Sequence, residues 1–398
     1  MKTLTLFLLL ALSCPIVFCQ DKETDSLDKL IQRATSDTAG INLRLKKMQR
    51  LFNVNIDSSI ALGSTILETA KNIHYYRGET DARMQLATGY IYKGDFKSAQ
   101  EHLDYLGRFI KPTKDSADFG ILYGRYGLMY SGQNKLDTSI LFYAKAIDIL
   151  ERTRDTLSLI TNYINIAVSY YQQSNFPMAL LYHQKTLNTA ETIHDEADEA
   201  YAYINMAIVY SDMGDSVRAE KNFLQAAAMG KKNGLKNIEV YAYSNLASFY
   251  IEKKEWAQSY DFGMKAATLG EELRDQGILA SSFSKAAFAI ASLGKMDSAT
   301  ALSDKAIIAA NAYGQPLNIS NTYSTRAAIL KMQQRWQEAI TFYEKGLSVV
   351  GKEDFYAQPY IMYYRDLSEC YEKTGKYPQA LEAFKTSALI ADSVRSRN

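Results

Sequence analysis

Small residues recur along the chain at a constant spacing, each near the start of an amphipathic segment. Successive members are 40 residues apart seven times and 41 residues apart once, which identifies an internal repeat. In one repeat, Ala219, Phe223 and Ala226 follow each other at steps of four and three, the spacing of residues on one helix face. We call these recurring residues anchors; they are Ser59, Ala99, Ser139, Ala179, Ala219, Ser259, Ala299, Ala339 and Ala380.

A second helix is predicted upstream of each anchor. Large residues stand nine positions before it, at Tyr90, Tyr130, Tyr170, Tyr210, Tyr250, Ile290, Leu330 and Tyr371. Another set stands sixteen positions before it, at Arg83, Tyr123, Tyr163, Tyr203, Tyr243, Phe283, Tyr323 and Tyr364. Seven residues span two helical turns, so both sets lie on one face, and we interpret this tyrosine stripe as core packing. The glycine of segments such as Gly94–Ala99 is typical of the left-handed residue that ends a helix.

The large-small-aromatic pattern of the first helix and the small-aromatic-small pattern of the second resemble tetratricopeptide repeats. Leu86-Ala87 with Tyr90, and Ala219 with Phe223 and Ala226, carry this resemblance. It covers roughly residues 38 to 395 and implies an all-α solenoid of about nine 40-residue helix-turn-helix repeats in a right-handed superhelix. The family's usual period is about 34 residues, so either the helices or the links between them are expected to be longer. Such longer repeats resemble those of kinesin light chain and of bacterial peptide-sensing proteins.

The first nineteen residues form a predicted secretory signal peptide. Lys2 supplies a short positive region, and residues 4–12 are almost wholly apolar. Val17 and Cys19 stand three and one positions before a predicted cleavage site that precedes Gln20. We therefore expect residues 1–19 as the leader, 20–37 as an N-terminal capping segment and 38–398 as the repeat array. The apolar run is too short to span a bilayer, and no membrane span is predicted after cleavage. The protein is thus expected to be exported, periplasmic or secreted.

Lipid attachment at Cys14 is the alternative, because Ser13-Cys14 resembles a lipobox, although Ala11 and Leu12 fit the preceding positions poorly. With Cys14 and Cys19 in the leader, Cys370 is the one cysteine of the predicted mature chain. It has no partner for an internal disulfide, and we interpret it as a small buried apolar residue.

The net charge of the chain and the catalytic motifs that its sequence lacks restrict the possible classes of function. With 45 basic and 44 acidic residues the net charge is +1, which gives no electrostatic signature of nucleic-acid binding. The sequence has no phosphate-binding glycine loop, no nucleophile elbow and no paired zinc-ligand spacing, since its histidines are scattered over different repeats. We therefore predict no enzymatic activity, no metal site and no cofactor.

Asparagine recurs at one position of the first helix in three central repeats. Asn165, Asn205 and Asn245 each stand fourteen residues before an anchor, a position that we call the slot. Asparagine disfavours a helix interior by up to about 0.7 kcal/mol relative to alanine, so its recurrence asks for a reason. A primary amide offers two donors and an acceptor, which an extended peptide backbone can engage.

The resemblance implies that the slot faces the concave groove, where such asparagines bind a peptide. By the same resemblance, the neighbouring groove positions are Tyr201, Tyr241, Ile164, Ile204, Val168, Ile208 and Phe288. In flanking repeats the slot holds Gln85, Arg125, Lys285, Thr325 and Asp366, all polar. The alternative interpretation is that the amides bridge adjacent helices without any ligand.

The sequence therefore predicts a noncatalytic scaffold that holds an extended polypeptide of unidentified sequence in a concave groove. The alternative is a ligand-sensing module of an envelope regulator, because the layout also resembles the exported half of Gram-negative histidine kinases and LuxR-type regulators. Any self-association is expected to use the terminal repeat, whose last helix lacks an obvious polar cap.

The leader prediction is tested by the intact mass of the protein recovered from the envelope of a Gram-negative host. We expect a chain that begins at Gln20. A chain that begins at Met1 would contradict the prediction, and a lipid adduct on Cys14 would support the lipoprotein alternative.

Overall fold

The computed structural model describes residues 20–34, 36–52, 55–110, 117–350 and 359–396, so the predicted leader with Cys14 and Cys19 lies outside the described residues. Within these ranges the secondary structure is helical. None of the described helices is both long and apolar enough to cross a membrane. The helices are α1 (Gln20–Gln32), α2 (Asp37–Leu51), α3 (Ile56–Asn72), α4 (Tyr76–Tyr92), α5 (Phe96–Phe109), α6 (Ala117–Gly132), α7 (Leu136–Thr153), α8 (Thr156–Gln172), α9 (Phe176–Ile193), α10 (Glu196–Asp212), α11 (Ser216–Lys232), α12 (Lys236–Glu252), α13 (Trp256–Leu273), α14 (Gln276–Ser292), α15 (Met296–Tyr313), α16 (Pro316–Met332), α17 (Trp336–Ser348), α18 (Pro359–Lys373) and α19 (Tyr377–Ser396).

The helices from α2 to α19 form nine consecutive pairs, as the repeat predicted. The described chain divides into two compact units, an N-terminal unit up to residue 202 and a C-terminal unit from residue 203 onward. Within each unit, the first helix of a pair packs against the first helices of neighbouring pairs, as α4 does with α6 and α14 does with α16. Second helices pack between the first helix of their own pair and that of the next pair, as α7 does between α6 and α8 and α13 does between α12 and α14. Each unit is therefore a two-layer α-solenoid.

Longer helices account for the 40-residue period. The ten helices from α7 to α16 each contain 17 or 18 residues. The links between them stay short, because α12 ends at Glu252 and α13 begins at Trp256. The sequence left open whether the helices or the links between them are longer than usual. The structure shows that the helices are longer.

Each described first helix from α4 onward ends in the same way. The residue five positions before the anchor has a positive φ, such as 82° at Gly294 and 59° at Gln334. The next residue then donates its backbone N–H to the carbonyl five residues back, as Lys295 does to Ile290 at 3.1 Å and Arg335 does to Leu330 at 3.0 Å. This left-handed termination satisfies carbonyls that the helix end leaves without partners.

The anchors join the two helices of a pair. Ser139 donates its hydroxyl to the carbonyl of Gly127 on α6 at 2.9 Å, and Ser259 donates to the carbonyl of Ala247 at the same distance. A Cβ atom at Gly127 would lie 2.7 Å from the Tyr143 ring, so that position requires a very small residue. The small residues predicted on the two helices therefore allow close approach of α6 and α7.

The tyrosine stripe packs between the helices of a pair: Tyr163 and Tyr250 are buried in the core, and the other tyrosines of the stripe are half-buried. In one pair, Tyr163 and Tyr170 of α8 both pack on Tyr182 of α9, with ring centroids 6.0 Å and 5.7 Å apart. In another, Tyr250 stacks on Phe262 at 5.5 Å. In both units, aromatic contacts thus hold the first helix of a pair against the second helix.

The segment predicted as a cap contains α1, which packs on α2. Lys47 of α2 forms an ion pair with Asp28 of α1 at 2.6 Å. Buried Leu27 adds an apolar contribution from α1. A helix outside the nine pairs therefore covers the first pair.

Substitutions at two links with a positive φ test how the left-handed residue at the end of a first helix affects stability. Gln334 and Gly294 occupy equivalent links, both are exposed, and a Cβ at Gly294 would meet no atom within 4 Å. Gln334→Gly is expected to raise the free energy of unfolding by about 0.5–1 kcal/mol, because glycine adopts positive φ without steric cost. Gly294→Gln is expected to lower it by a similar amount. Urea unfolding followed by circular dichroism measures both, and equal stabilities of the two variants would contradict the account.

Candidate functional site

The slot lies on successive first helices in the C-terminal unit. Asn205 is on α10, Asn245 on α12, Lys285 on α14 and Thr325 on α16, one repeat apart. Because α12, α14 and α16 pack side by side, their slot residues follow one another across the first-helix layer. The repeat therefore creates a row of polar side chains that crosses the helices.

The asparagines of this row are largely covered. Asn205 and Asn245 are each 3% exposed, and the Asn245 side-chain amide donates to the carbonyl of Tyr241 in its own helix at 2.8 Å. The described contact of Asn245 is thus local and does not bridge helices. Peptide binding by these asparagines stays a prediction.

Buried polar atoms without hydrogen-bond partners recur at the slot. In the described part of the chain they include the Gln85 side-chain oxygen, the Arg125 Nε and the Asn205 side-chain oxygen. All three residues stand fourteen positions before their anchors. Such atoms are rare in native proteins because each one costs about 1–3 kcal/mol. The slot therefore includes, in each unit, buried polar atoms that have no hydrogen-bond partner among the described residues.

The other predicted groove residues of the C-terminal unit differ in exposure. Ile204 and Ile208 are buried among neighbouring side chains, whereas Tyr241 and Phe288 are partly exposed. Burial raises the pKa of Tyr241 to about 12, so its hydroxyl is protonated at neutral pH. The two isoleucines contribute to the core of the first-helix layer.

In the N-terminal unit, the predicted residues are all partly exposed: Ile164, Asn165, Val168 and Tyr201. Sequence reasoning missed a further amide, Asn162, which lies one turn before Ile166 on the same helix. The Asn162 side chain donates to the carbonyl of Ser158 at 2.7 Å. A Cβ at Gly124 would lie 2.5 Å from its side-chain oxygen, so this amide occupies the space left by a glycine on α6.

Sequence reasoning also missed the special setting of Lys285. Its ammonium group donates to the carbonyl and hydroxyl oxygens of Ser244 on α12, at 3.0 Å and 2.5 Å. Burial lowers the pKa of Lys285 to about 8. The only sequence signal was a cationic residue at a slot that holds asparagine in the preceding repeats.

Other titratable groups are kept neutral by burial. Burial lowers the pKa of His183 to about 3, and burial together with the Arg83 charge lowers that of His102 to about 4. Cys370 is fully buried, and burial raises its pKa to about 12. Over the described residues, no group of three or more histidine, cysteine or acidic side chains is placed to hold a metal ion.

The interpretation of Cys370 as a buried apolar residue is tested with a chain that begins at Gln20. In that chain Cys370 is the single cysteine. Reaction with a thiol-specific disulfide reagent at pH 8 is expected to be at least about 100-fold slower in the native chain than in urea. The thiol must be exposed by opening before it can ionise and react. Similar native and unfolded rates, measured by absorbance, would show that the thiol is accessible.

Comparisons with known proteins agree with the repeat geometry. Residues 158–232 and 318–393 match the tetratricopeptide repeat family model. No curated protein matches the chain.

Several solved structures share the fold at low sequence identity. The apo form of RapI has a TM-score of 0.64 and 12% identity, with coverage of 89% of this chain and 98% of that one. The apo quorum sensor NprR from B. thuringiensis has a TM-score of 0.58 and 15% identity, with 88% and 97% coverage. A Rap protein complexed with Competence and Sporulation Factor has a TM-score of 0.57 and 14% identity, with 90% and 99% coverage. The nine helix pairs and these matches together show that the chain has a tetratricopeptide-like repeat fold.

Proposed function

We propose that the chain is an exported, noncatalytic scaffold that binds an extended polypeptide at the slot positions of its first helices. The observation that carries this proposal is the recurrence of unpartnered, buried polar atoms at the slot, in Gln85, Arg125 and Asn205. Repeated polar groups at a one-helix interval suit the repeated amides of an extended peptide backbone. Stacked helix pairs use their extended surfaces for such binding.

The fold comparison supports the same function, because a Rap protein with this fold was solved with Competence and Sporulation Factor bound. The scattered histidines support a noncatalytic role: His74, His102, His183 and His194 belong to four different helices or links. Two of them, His102 and His183, have pKa values lowered by burial, which makes them poor proton carriers at neutral pH.

The affinity is expected to come from several modest contacts. Each amide-to-backbone hydrogen bond contributes about 0.5–1.5 kcal/mol net. Asn205 and Asn245 are also almost completely buried in the chain without a ligand. Neighbouring side chains must therefore shift before a ligand can reach their amides. Dissociation constants in the micromolar range are therefore expected.

The proposal is tested by panning a phage-displayed library of random dodecapeptides on the chain that begins at Gln20. Enriched peptides are synthesised, and their affinities are measured by isothermal titration calorimetry. The wild type is expected to bind with a micromolar Kd, and the triple variant Asn165→Ala, Asn205→Ala, Asn245→Ala at least about tenfold more weakly. Loss of three contacts corresponds to about 1.5–4.5 kcal/mol, and 1.4 kcal/mol is tenfold in affinity.

Asn222→Ala is the matched control. The Asn222 amide on the second helix α11 donates to the carbonyl of Arg218 at 2.8 Å, the same local bond that Asn245 makes on α12. We expect this control to keep the wild-type affinity within about twofold, and circular dichroism monitors the fold of both variants. Failure to enrich any peptide, or equal affinity of the triple variant and the wild type, would refute the proposed surface.

A further inference from the structure

The last second helix, α19, presents an apolar face to solvent. Four exposed residues at steps of four, three and four share this face: Tyr377, Leu381, Phe384 and Ala388. Leu381 is 55% exposed and Phe384 is 56% exposed. We call these four residues the terminal stripe. Single exposed apolar residues are common on protein surfaces, but a contiguous run of them marks a surface that another molecule covers.

The equivalent residues of the preceding second helix are buried. Ile340 and Tyr343 of α17 stand one and four positions after their anchor, as Leu381 and Phe384 do in α19. They are only 1% and 0% exposed. Tyr343 packs on Tyr363 of α18, the first helix of the next pair, with ring centroids 5.0 Å apart. The described helices end with α19, so the terminal stripe has no such first helix over it.

Earlier second helices follow the same rule. At the position of Phe384, four residues after the anchor, Leu103, Tyr143 and Phe223 are 0%, 1% and 3% exposed. Phe223 of α11 packs on Phe249 of the next first helix, α12, at 6.0 Å between ring centroids. The terminal stripe therefore has the composition of a surface between helix pairs, whereas terminal repeats of such arrays ordinarily have a polar outer face.

A second copy of the chain has two terminal helices that are candidates to cover this stripe. On α1, the exposed residues are mainly polar: Ser26, Lys29, Gln32 and Arg33, with Leu30 as the exposed apolar residue. Charged groups are costly to bury against apolar side chains, so α1 is a poor partner. The α19 helix of the second copy offers the apolar stripe that α1 lacks.

Charged residues beside the terminal stripe favour an antiparallel pairing of α19 with itself. Glu382 and Lys385 are both exposed, and their spacing of three places them on the same flank of the stripe. When two identical helices pair in antiparallel fashion about a twofold axis, the same flank of each copy meets the other. Glu382 of one copy then lies near Lys385 of the second copy, and the reverse. The net charge of +1 adds little repulsion between the copies.

We propose that two copies of this chain associate through α19, antiparallel about a twofold axis, and bury the terminal stripe of each copy between them. A twofold contact uses the same surface on both copies, so association stops at the dimer. This association is separate from peptide binding, because the terminal stripe lies on a second helix and the slot lies on first helices.

Sedimentation equilibrium of the chain that begins at Gln20 gives the first test. This chain lacks the apolar residues 4–12, whose exposure would promote aggregation. At micromolar concentrations we expect twice the mass of one chain. The double variant Leu381→Gln, Phe384→Gln is expected to have a dimer dissociation constant at least about thirtyfold larger, because large apolar side chains of both copies lose their burial.

Leu224→Gln, Ile308→Gln is the matched control. It removes two apolar side chains that are 42% and 69% exposed on the second helices α11 and α15. We expect its dissociation constant to stay within about twofold of wild type, with circular dichroism monitoring the fold of both double variants. A wild type with the mass of a single chain would overturn the proposal. So would a mass that rises beyond the dimer, or undiminished association of the α19 variant.

Charge reversal tests the antiparallel arrangement. Glu382→Lys and Lys385→Glu each place like charges opposite one another, so each alone is expected to weaken association at least about threefold. Combining both substitutions in one chain restores opposite charges and is expected to return the dissociation constant to within about twofold of wild type. An equimolar mixture of the two single variants is expected to associate more tightly than either variant alone. A combined variant that stays as weak as the single variants would rule out this pairing of the two copies.

Discussion

The backbone hydrogen bond that closes the first helices from α4 onward sets the geometry on which the rest of the structure depends. After each of these helices, a left-handed residue turns the chain, and the next N–H donates to a carbonyl five residues back. The second helix then begins at a fixed distance from the first. The anchor consequently lies opposite the small residue of its partner helix, and Ser139 and Ser259 make the same 2.9 Å bond although they belong to different units.

The fixed arrangement of the two helices in each pair explains why the fold could be predicted from the sequence while much of the site could not. The anchors, the tyrosine stripe and the small residues are local signals that repeat, so nine helix pairs followed from spacing alone. The position of Asn205 and Asn245 in the repeat was equally predictable. Their near-complete burial depends on side chains of neighbouring helices, and no single repeat contains that information. The same holds for Lys285, whose partner Ser244 lies 41 residues away.

Polar groups are treated differently in the two helix layers. On the second helix α11, the half-buried Asn222 amide is satisfied by its own helix. At the slot of first helices, Gln85, Arg125 and Asn205 bury atoms without partners, and Lys285 keeps a charge without a counter-ion. These features oppose stability because buried polar groups are costly when unpaired. Among the described residues, the unpartnered polar atoms lie mainly on first helices.

The uniform links also bear on how such a protein changes over evolutionary time. Since the first helices from α4 onward end in the same register, a segment exchanged from one of these ends to the next carries its own anchor contacts with it. Duplication, deletion or recombination of whole repeats can then alter the length of the array without redesigning its core. Each exchanged repeat also brings one slot residue, so amide, cationic and hydroxyl positions can be reordered as units. Recognition in this architecture can diversify by shuffling modules as well as by point mutation.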